Sequence, residues 1–431
     1  MLSLLTVTVC NVASSTAPNN PASRKAHLNR CSLNIGAMVK KKPVWLILIL
    51  SAALAITNVT SAVSRQSVRS LTAADITAAS QQIDQLVSAA FAKDGNASLT
   101  VGIVAGDKLA WSKSCGYADM ENKVPASSDT IYRIGSITKQ FTALMLLQLV
   151  QDGNVHFSDP VEKYLPEINK VKGRLAGAPP ITLIQLATHT AGLQREPEHT
   201  DSYLTGPVSD WEKVLIAALG ETSYEFEPGT RFSYSNIGYA ALGAALGRAA
   251  GQPYTDYIQQ HIFTPLGMHD TAFEPNALVR GRIARGYVIE KDNKLDWQTA
   301  DHEHQGRGYK VPNGAIYTTV GDLAKFVAFE MGAGPANVLK PEALAENFDR
   351  IVTANPQLSS GYGIGFSLAR KGYLVLVGHN GGVAGYAANA FFERSSKVGV
   401  ITLRNAIGEG DKVQAGKVMF DIFEKLLPPK P

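Results

Sequence analysis

Ser136 and Lys139 stand three residues apart in the stretch Ile134-Gly-Ser-Ile-Thr-Lys139, and together they could do chemistry. On a helix, residues i and i+3 are neighbours on one face, so the hydroxyl and the amine can touch. A helix N-terminus also offers free N–H groups and partial positive charge, which stabilise an anion and keep a neighbouring lysine partly neutral. The alternative is a helix-start serine followed by a solvated lysine.

The element that must position this pair is the apolar run 141–150, Phe-Thr-Ala-Leu-Met-Leu-Leu-Gln-Leu-Val. A helix that is apolar nearly all round is buried and does not lie on a surface. The breaker cluster Gln151-Asp-Gly-Asn154 ends it. The sequence therefore predicts that Ser136 and Lys139 lie on the first turn of a buried helix.

A second segment, Tyr234-x-Asn236, follows the turn 227–230 and opens a helical run at 237–250. Tyrosine has an unperturbed pKa of about 10, so it needs a nearby cation such as Lys139 to act as a base. An asparagine amide offers a donor and an acceptor to a substrate or to the lysine. The alternative is a buried tyrosine beside an asparagine that caps the helix.

A third segment, Val377-Gly-His-Asn-Gly-Gly-Val383, is strand-like and rich in glycine. Glycine inside a strand usually marks the close approach of another backbone, such as a substrate lying along a sheet edge. His379 would then face the nucleophile as a donor or weak acid. The alternative is a surface histidine at the end of a strand.

In that order, Ser136-x-x-Lys139, Tyr234-x-Asn236 and His379-x-Gly381 resemble the three signatures of the penicillin-recognising serine hydrolases. The chain is most similar to the class C β-lactamase-like group, which also contains DD-peptidases, D-aminopeptidases and serine esterases. The resemblance covers about residues 72–427. It implies a serine hydrolase that cleaves an ester or amide, including a β-lactam or a D-amino-acid peptide.

The resemblance also implies an acyl-enzyme mechanism in which Ser136 attacks a carbonyl, while Lys139 and Tyr234 share the role of general base. The backbone N–H groups of Ser136 and Gly382 would form the oxyanion hole. The remaining expected substrate-binding residues are Asn236, His379, Gly381 and Tyr386.

His379 stands where class C β-lactamases carry a lysine, and a neutral histidine favours a β-lactam carboxylate less. This departure resembles the esterase and peptidase members. A true β-lactamase, or a penicillin-binding sensor or scaffold that acylates without turnover, remains the alternative. Two rival third signatures are less suitable, because Lys397 falls in a hairpin turn and His304 in a polar loop.

Helical spacing over Thr72–Ala92 and a hairpin formed by 99–104 and 108–112 precede the serine. Strand-like segments return late in the chain, before a last helix at about 412–427. We therefore expect an α/β (α+β) fold with an antiparallel sheet flanked by the N- and C-terminal helices, and a mostly helical insertion at about 159–340 in a domain spanning 70–430. The late strand-like segments are 363–368, 373–377, 387–392 and 398–403.

Residues 1–62 read as a leader and signal peptide, with Met38 as the expected start, three lysines, and an apolar run at 43–56. This predicts a periplasmic or secreted protein, with membrane contact only if the segment is retained as an anchor. These residues hold six of the 41 Lys and Arg and no Asp or Glu, which leaves 35 basic against 37 acidic residues, or about −2. The basic balance therefore gives no argument for nucleic acid.

The run Asp301-His-Glu-His304 lacks the spacing of a metal-binding helix, and no phosphate-binding or dinucleotide-binding motif occurs. We expect no metal and no cofactor, and a small-molecule or peptide substrate as the partner. Cys10 and Cys31 belong to the leader, so Cys115 is left alone, in a strand where a half-buried packing role is expected.

Overall fold

The computed structural model describes residues 70–277, 279–350, 353–355, 357 and 359–429. The expected leader and signal peptide, including Met38, lie outside the described residues. Among the helices that are described, none combines the length and the apolar character needed to span a bilayer.

The described residues form fourteen strands, numbered here in chain order. They are β1 Ser98–Ala105, β2 Lys108–Asp119, β3 Val124–Pro125, β4 Tyr132–Arg133, β5 Tyr287–Ile289, β6 Leu295–Asp296, β7 Tyr317–Thr318, β8 Thr353–Ala354, β9 Ser360–Tyr362, β10 Ser367–Lys371, β11 Leu374–Val383, β12 Tyr386–Glu393, β13 Val398–Arg404 and β14 Ala406–Ile407. Nine of them form one sheet in the order β3-β2-β1-β13-β12-β11-β10-β9-β8. Small sheets pair β5 with β14 and β6, and β4 with β7.

The α-helices are also numbered in chain order. They are α1 Ala73–Phe91, α2 Thr138–Gln151, α3 Leu183–Ala187, α4 Trp211–Leu219, α5 Asn236–Ala250, α6 Tyr254–Ile258, α7 Gln298–His302, α8 Val311–Gly314, α9 Val320–Ala328, α10 Pro341–Asp349 and α11 Ala415–Leu426. Single 3₁₀ turns connect many of them, and π-helical turns follow α6 at Gln259–Phe263 and α9 at Phe329–Ala333.

The first and last helices cover one face of the large sheet, as the sequence predicts. Thr72 caps α1 through a reciprocal capping box with Asp75, which satisfies backbone donors at the helix start. Apolar side chains of α1, of the central strands and of α11 then form one buried cluster, in which Ile83, Val101 and Ile422 are fully buried. The predicted antiparallel sheet with flanking N- and C-terminal helices is therefore confirmed, and both helices lie on the same face.

The opposite face carries a larger apolar core built around α2, α5 and α9. Helix α2 is buried along nearly its whole length, as its all-round apolar pattern predicts. Phe141 stacks on Phe326 of α9 with ring centroids 3.9 Å apart. The catalytic candidates Ser136 and Lys139 belong to this face.

The structure corrects three details of the predicted elements. Ser136 lies on a 3₁₀ turn, Gly135–Ile137, that leads directly into α2, and it is not on the α-helix itself. The expected strand at 363–368 is broken, because Gly363 donates to the Phe366 carbonyl in a turn between β9 and β10. The last helix begins at Ala415, after Gln414 in a left-handed conformation with φ of 50°.

Strand β11 leaves half of one side free for another chain. Its first residues pair with β10 only as far as Gly378, which lies opposite Ser367. The remaining residues, His379 to Val383, continue to pair with β12 but extend past the end of β10. Between described strands, this creates a local sheet edge beside the turn that carries Ser136.

Candidate active site

The turn Gly135–Ile137, which carries Ser136, and strand β11 meet backbone to backbone. Gly135 has φ of 49°, and a Cβ there would lie 2.9 Å from the Gly382 carbonyl oxygen. A Cβ on Gly381 would lie 1.9 Å from the Ile134 carbonyl oxygen and 3.1 Å from the Ser136 nitrogen. Glycine is required at both positions, since any side chain would push the strand away from the turn. The close approach predicted from the glycines is thus made, in part, by the turn that carries Ser136.

Lys139 is fully buried and lies in contact with Ser136. Its Nζ is 3.1 Å from Ser136 Oγ, 2.7 Å from Asn236 Oδ1 and 3.1 Å from the Asn313 carbonyl oxygen. Burial holds the pKa of Lys139 well below its ordinary value. A neutral amine has two N–H donors and one lone pair, so with both donors directed at the two carbonyl oxygens the lone pair is left for the Ser136 proton.

Tyr234 packs over the same amine but is poorly suited to ionise. The Lys139 Nζ lies 4.8 Å from the centroid of its ring. Burial raises the pKa of Tyr234 to about 12, and its hydrogen bond with Ser136 opposes this only in part. The phenol is therefore protonated at neutral pH, where it can pass a proton on but cannot hold a standing negative charge.

His189 supports Tyr234 from behind. Its Nδ1 accepts the backbone N–H of Ser235 at 3.0 Å, and its carbonyl accepts that of Ser233 at 2.9 Å. The His189 and Tyr234 rings lie 4.1 Å apart. The loop that carries Tyr234 is thus held at both ends by one residue.

His379 is buried against the site, with 2% of its surface exposed, and is not the surface histidine of the alternative interpretation. Its Nδ1 lies 2.5 Å from the Asn380 carbonyl oxygen, which can only accept, so this nitrogen carries the proton. Nε2 then accepts from the Tyr362 hydroxyl at 3.1 Å. Burial lowers the pKa of His379 to about 3, so the ring is neutral and, as arranged, has no free N–H for a substrate.

Both polar atoms of the Asn236 side-chain amide form hydrogen bonds with other residues of the site. Its Oδ1 accepts from Lys139, and its Nδ2 donates to Glu196 Oε1 at 2.6 Å. The sequence left two partners open for this amide, a substrate or the lysine. In the structure it holds the lysine.

Tyr386 requires a correction, because it does not line the cleft. The side chain is fully buried, and its hydroxyl donates to the Ala284 carbonyl at 2.5 Å and contacts His304 Nε2 at 3.0 Å. A phenol with those partners supports the packing behind β12 and is not accessible to a substrate.

An open cleft of about 750 Å³ runs past Ser136 and along the free half of β11. Ser136, Gly382 and Asn380 line its inner wall, and Phe232, Tyr234 and Phe391 supply aromatic surface. Of the described residues that line it, only Arg195 carries a charge. Arg195 is 63% exposed, and its guanidinium lies 4.9 Å from the centroid of the Tyr234 ring.

Four residues of this site are not among those predicted from the sequence: Glu196, Asn313, Arg195 and Tyr362. Asn313 stands in a phrase, Pro312-Asn-Gly-Ala, that contributes to the family resemblance, so this one had a signal. The other three lie in segments without periodicity or a recognisable motif. They reach the site only through the tertiary fold.

The rival signatures and the acidic-histidine run serve structural roles. Lys397 lies at the turn between β12 and β13 and bonds the Met331 carbonyl. His304 is held between the hydroxyls of Tyr317 and Tyr386, and Glu303 pairs with Arg133 at 3.2 Å.

The chain is similar to known proteins over most of its described length. A family model described as Beta-lactamase matches residues 83–421. Beta-lactamase-like protein 4 of Dictyostelium discoideum is 28% identical over 370 residues, covering 80% of this chain and 63% of the relative. The chain therefore spans slightly less than two thirds of that relative's length.

Two further proteins extend the comparison. The D-alanyl-D-alanine-carboxypeptidase/endopeptidase AmpH of Escherichia coli (strain K12) is 30% identical over 251 residues, covering 58% of this chain and 61% of AmpH. Among solved structures, the octameric penicillin-binding protein homologue from Pyrococcus abyssi superposes with a TM-score of 0.68 and 27% identity, covering 82% of this chain and 78% of that one. These matches support the β-lactamase-like fold that the sequence predicts.

Proposed function

The chain belongs to the β-lactamase family of serine hydrolases, and on that premise we propose that it hydrolyses an ester or amide through an acyl-Ser136 intermediate. One observation carries the proposal. The Ser136 hydroxyl lies 3.1 Å from an amine that is fully buried and whose pKa is well below its ordinary value. A neutral lysine in contact with a serine is the base that an acyl-transfer nucleophile needs.

In the proposed reaction, the Lys139 lone pair takes the Ser136 proton as Oγ bonds to the carbonyl carbon. The negative charge that develops on the carbonyl oxygen is stabilised by the backbone N–H groups of Ser136 and Gly382. The proton then passes to the leaving alcohol or amine, directly from Lys139 or through the Tyr234 hydroxyl, as the bond to it breaks. Water cleaves the acyl-serine ester in the second half-reaction, releasing the acid and returning the proton to Ser136.

The cleft supports an esterase or peptidase more than a true β-lactamase. His379 is neutral and committed to Asn380 and Tyr362, so it does not supply the fixed cation that a lysine would at this position. AmpH, the relative named above, is a carboxypeptidase and endopeptidase by its name. The exposed Arg195 keeps a β-lactamase as the second candidate, because it could attract a β-lactam carboxylate. We further propose export, on the signal-peptide pattern of residues 38–62.

A side-by-side assay tests this proposal. We expect a chromogenic short-chain ester to be hydrolysed faster, relative to its uncatalysed rate, than a chromogenic cephalosporin. The reverse order would make the protein a β-lactamase. If neither substrate turns over while labelled penicillin stays bound to Ser136, the protein is a non-turnover sensor and the hydrolase proposal is wrong.

Arg195 should select for anionic substrates. We expect Arg195→Gln to lower kcat/KM for a carboxylate-bearing ester by about 3- to 10-fold relative to a neutral ester of the same acyl group, which is the size expected of one exposed charged contact. The ratio of the two substrates at one pH is the measurement, because the Arg195 charge also lowers the pKa of Lys139. Arg231→Gln, an exposed arginine on the loop that precedes α5, is the matched control. An unchanged ratio in Arg195→Gln would show that Arg195 does not discriminate between anionic and neutral substrates.

A further inference from the structure

We infer that Glu196 is a positioning residue that fixes the orientation of the Asn236 amide and, through it, the amine of Lys139. The inference rests on the proposed role of Lys139 as the base. It assigns a role to a residue outside the three signatures.

The chemistry of a carboxylate gives the orientation its direction. An ionised carboxylate can only accept hydrogen bonds, so the group of Asn236 that faces Glu196 at 2.6 Å must be the NH₂. The amide oxygen then faces Lys139 Nζ at 2.7 Å. In the reversed orientation, an NH₂ would oppose the lysine donors and an oxygen would oppose the carboxylate. Glu196 therefore excludes the orientation that would disrupt the lysine.

Glu196 is itself held in place from several sides. The Tyr309 hydroxyl donates to its Oε2, and Lys310 Nζ lies 3.4 Å from the same oxygen. The preceding carbonyl, of Arg195, accepts the backbone N–H of Asn236 at 2.9 Å. The loop that carries Glu196 is thus attached to the start of α5, and the carboxylate has little freedom to follow a displaced Asn236.

The charge of Glu196 acts on the same lysine. Burial lowers the pKa of Lys139, and the negative charge of Glu196 is the main opposing influence. The cations that lower the lysine pKa further are Lys310, Arg195 and Arg307. The other titratable groups that face the amine are Tyr234, Tyr239, His189 and His379. Among these groups, Glu196 alone carries negative charge.

Two variants should shift the pH dependence of Ser136 reactivity in opposite directions. Removing the charge in Glu196→Gln lowers the pKa of Lys139, so the neutral base persists to lower pH. Exchanging the two groups, in the double variant Glu196→Gln with Asn236→Asp, places a carboxylate directly against the amine, with the new glutamine able to donate to it. That carboxylate stabilises the ammonium form and raises the pKa of Lys139.

The experiment measures the rate of Ser136 labelling by a fluorophosphonate as a function of pH. In Glu196→Gln, we expect the acid limb to move to lower pH by roughly 0.5 to 1 pH unit and the plateau rate to fall about 10- to 100-fold, because the amine loses its fixed orientation. In the double variant, the limb should move to higher pH by about one pH unit or more. Glu196→Asp keeps the charge, so its limb should stay near that of the wild type although its plateau falls.

Glu198→Gln is the matched control, since this exposed carboxylate on the same loop lies 4.0 Å from Lys172 and away from Asn236. Thermal melting of each variant reports whether it folds. If Glu196→Gln does not fold, the double variant and Glu196→Asp still test the inference. If the folded variants retain the wild-type limb and plateau, Glu196 is only structural and the inference is wrong. If wild-type Ser136 is not labelled at any pH, the proposed function itself fails instead.

Discussion

Ser136→Ala is expected to abolish covalent labelling by a fluorophosphonate or by penicillin, and to lower ester turnover by about 10⁴-fold or more. The reason is that the Ser136 hydroxyl lies 3.1 Å from Lys139 Nζ, which can accept its proton. Without the oxygen, no acyl-enzyme can form, and any residual rate comes from carbonyl polarisation and substrate binding alone. Mass mapping of the labelled peptide in the wild-type protein gives the direct measurement.

Ser233→Ala provides the matched control for this prediction. Ser233 lies on the loop of Tyr234, and its hydroxyl donates to Glu225 Oε2 at 3.0 Å, outside the lysine network. Its labelling and turnover should stay within about twofold of the wild type, as expected for a half-buried residue outside the lysine network. Persistent labelling of Ser136→Ala at another serine would place the nucleophile elsewhere and overturn the mechanism.

Lys139→Met is expected to reduce turnover by about 10³-fold or more, nearly as much as loss of the serine, because residues that act as a unit fail together. Methionine has a similar length and suits the buried position, so the fold should persist. The two carbonyl oxygens that the amine now satisfies, of Asn236 and Asn313, lose their donor. The measurement is kcat/KM for the chromogenic ester, with circular dichroism to verify folding.

Tyr234→Phe separates the two candidate bases. Its pKa of about 12 makes Tyr234 a proton relay rather than the resting base. We therefore expect a loss of about 10²-fold, within the usual range for a general acid–base group, with the acid limb of the pH profile unchanged. If Tyr234→Phe removed that limb while Lys139→Met kept it, the phenol would be the base.

The chemistry that could be predicted from sequence is the part that is local along the chain. Ser136 and Lys139 share one face of one helical segment, so spacing alone brings their side chains together. The partners of Lys139 lie far away in sequence, since Asn236 is 97 residues distant and Asn313 is 174. No periodicity relates such positions, and only the resemblance to a family brought Tyr234 and His379 into the same site.

The fold shows the same division. The first helix and the first hairpin have strong periodic patterns, and their predicted bounds agree with the structure except that β2 continues past residue 112 to Asp119. The error at 363–366 arises because Gly365 adopts φ of 77° and packs against α2, where a Cβ would lie 2.2 Å from that of Ala143. An apolar, glycine-containing run looks like a strand until the helix it must pass is known. Tyr386 was misassigned for a related reason, since an aromatic residue next to a signature can face the core as well as the cleft.

The two apolar layers on either side of the sheet also divide the tasks of the molecule. The layer formed by α1 and α11 contributes only Phe391 to the cleft residues named above, whereas Ser136 and Lys139 lie on the side of the layer around α2. Ile83→Val and similar truncations in the first layer should therefore cost about 0.5–1.5 kcal/mol of stability without altering selectivity. Stabilising substitutions in the same layer would therefore offset the stability lost when an engineer remodels the cleft.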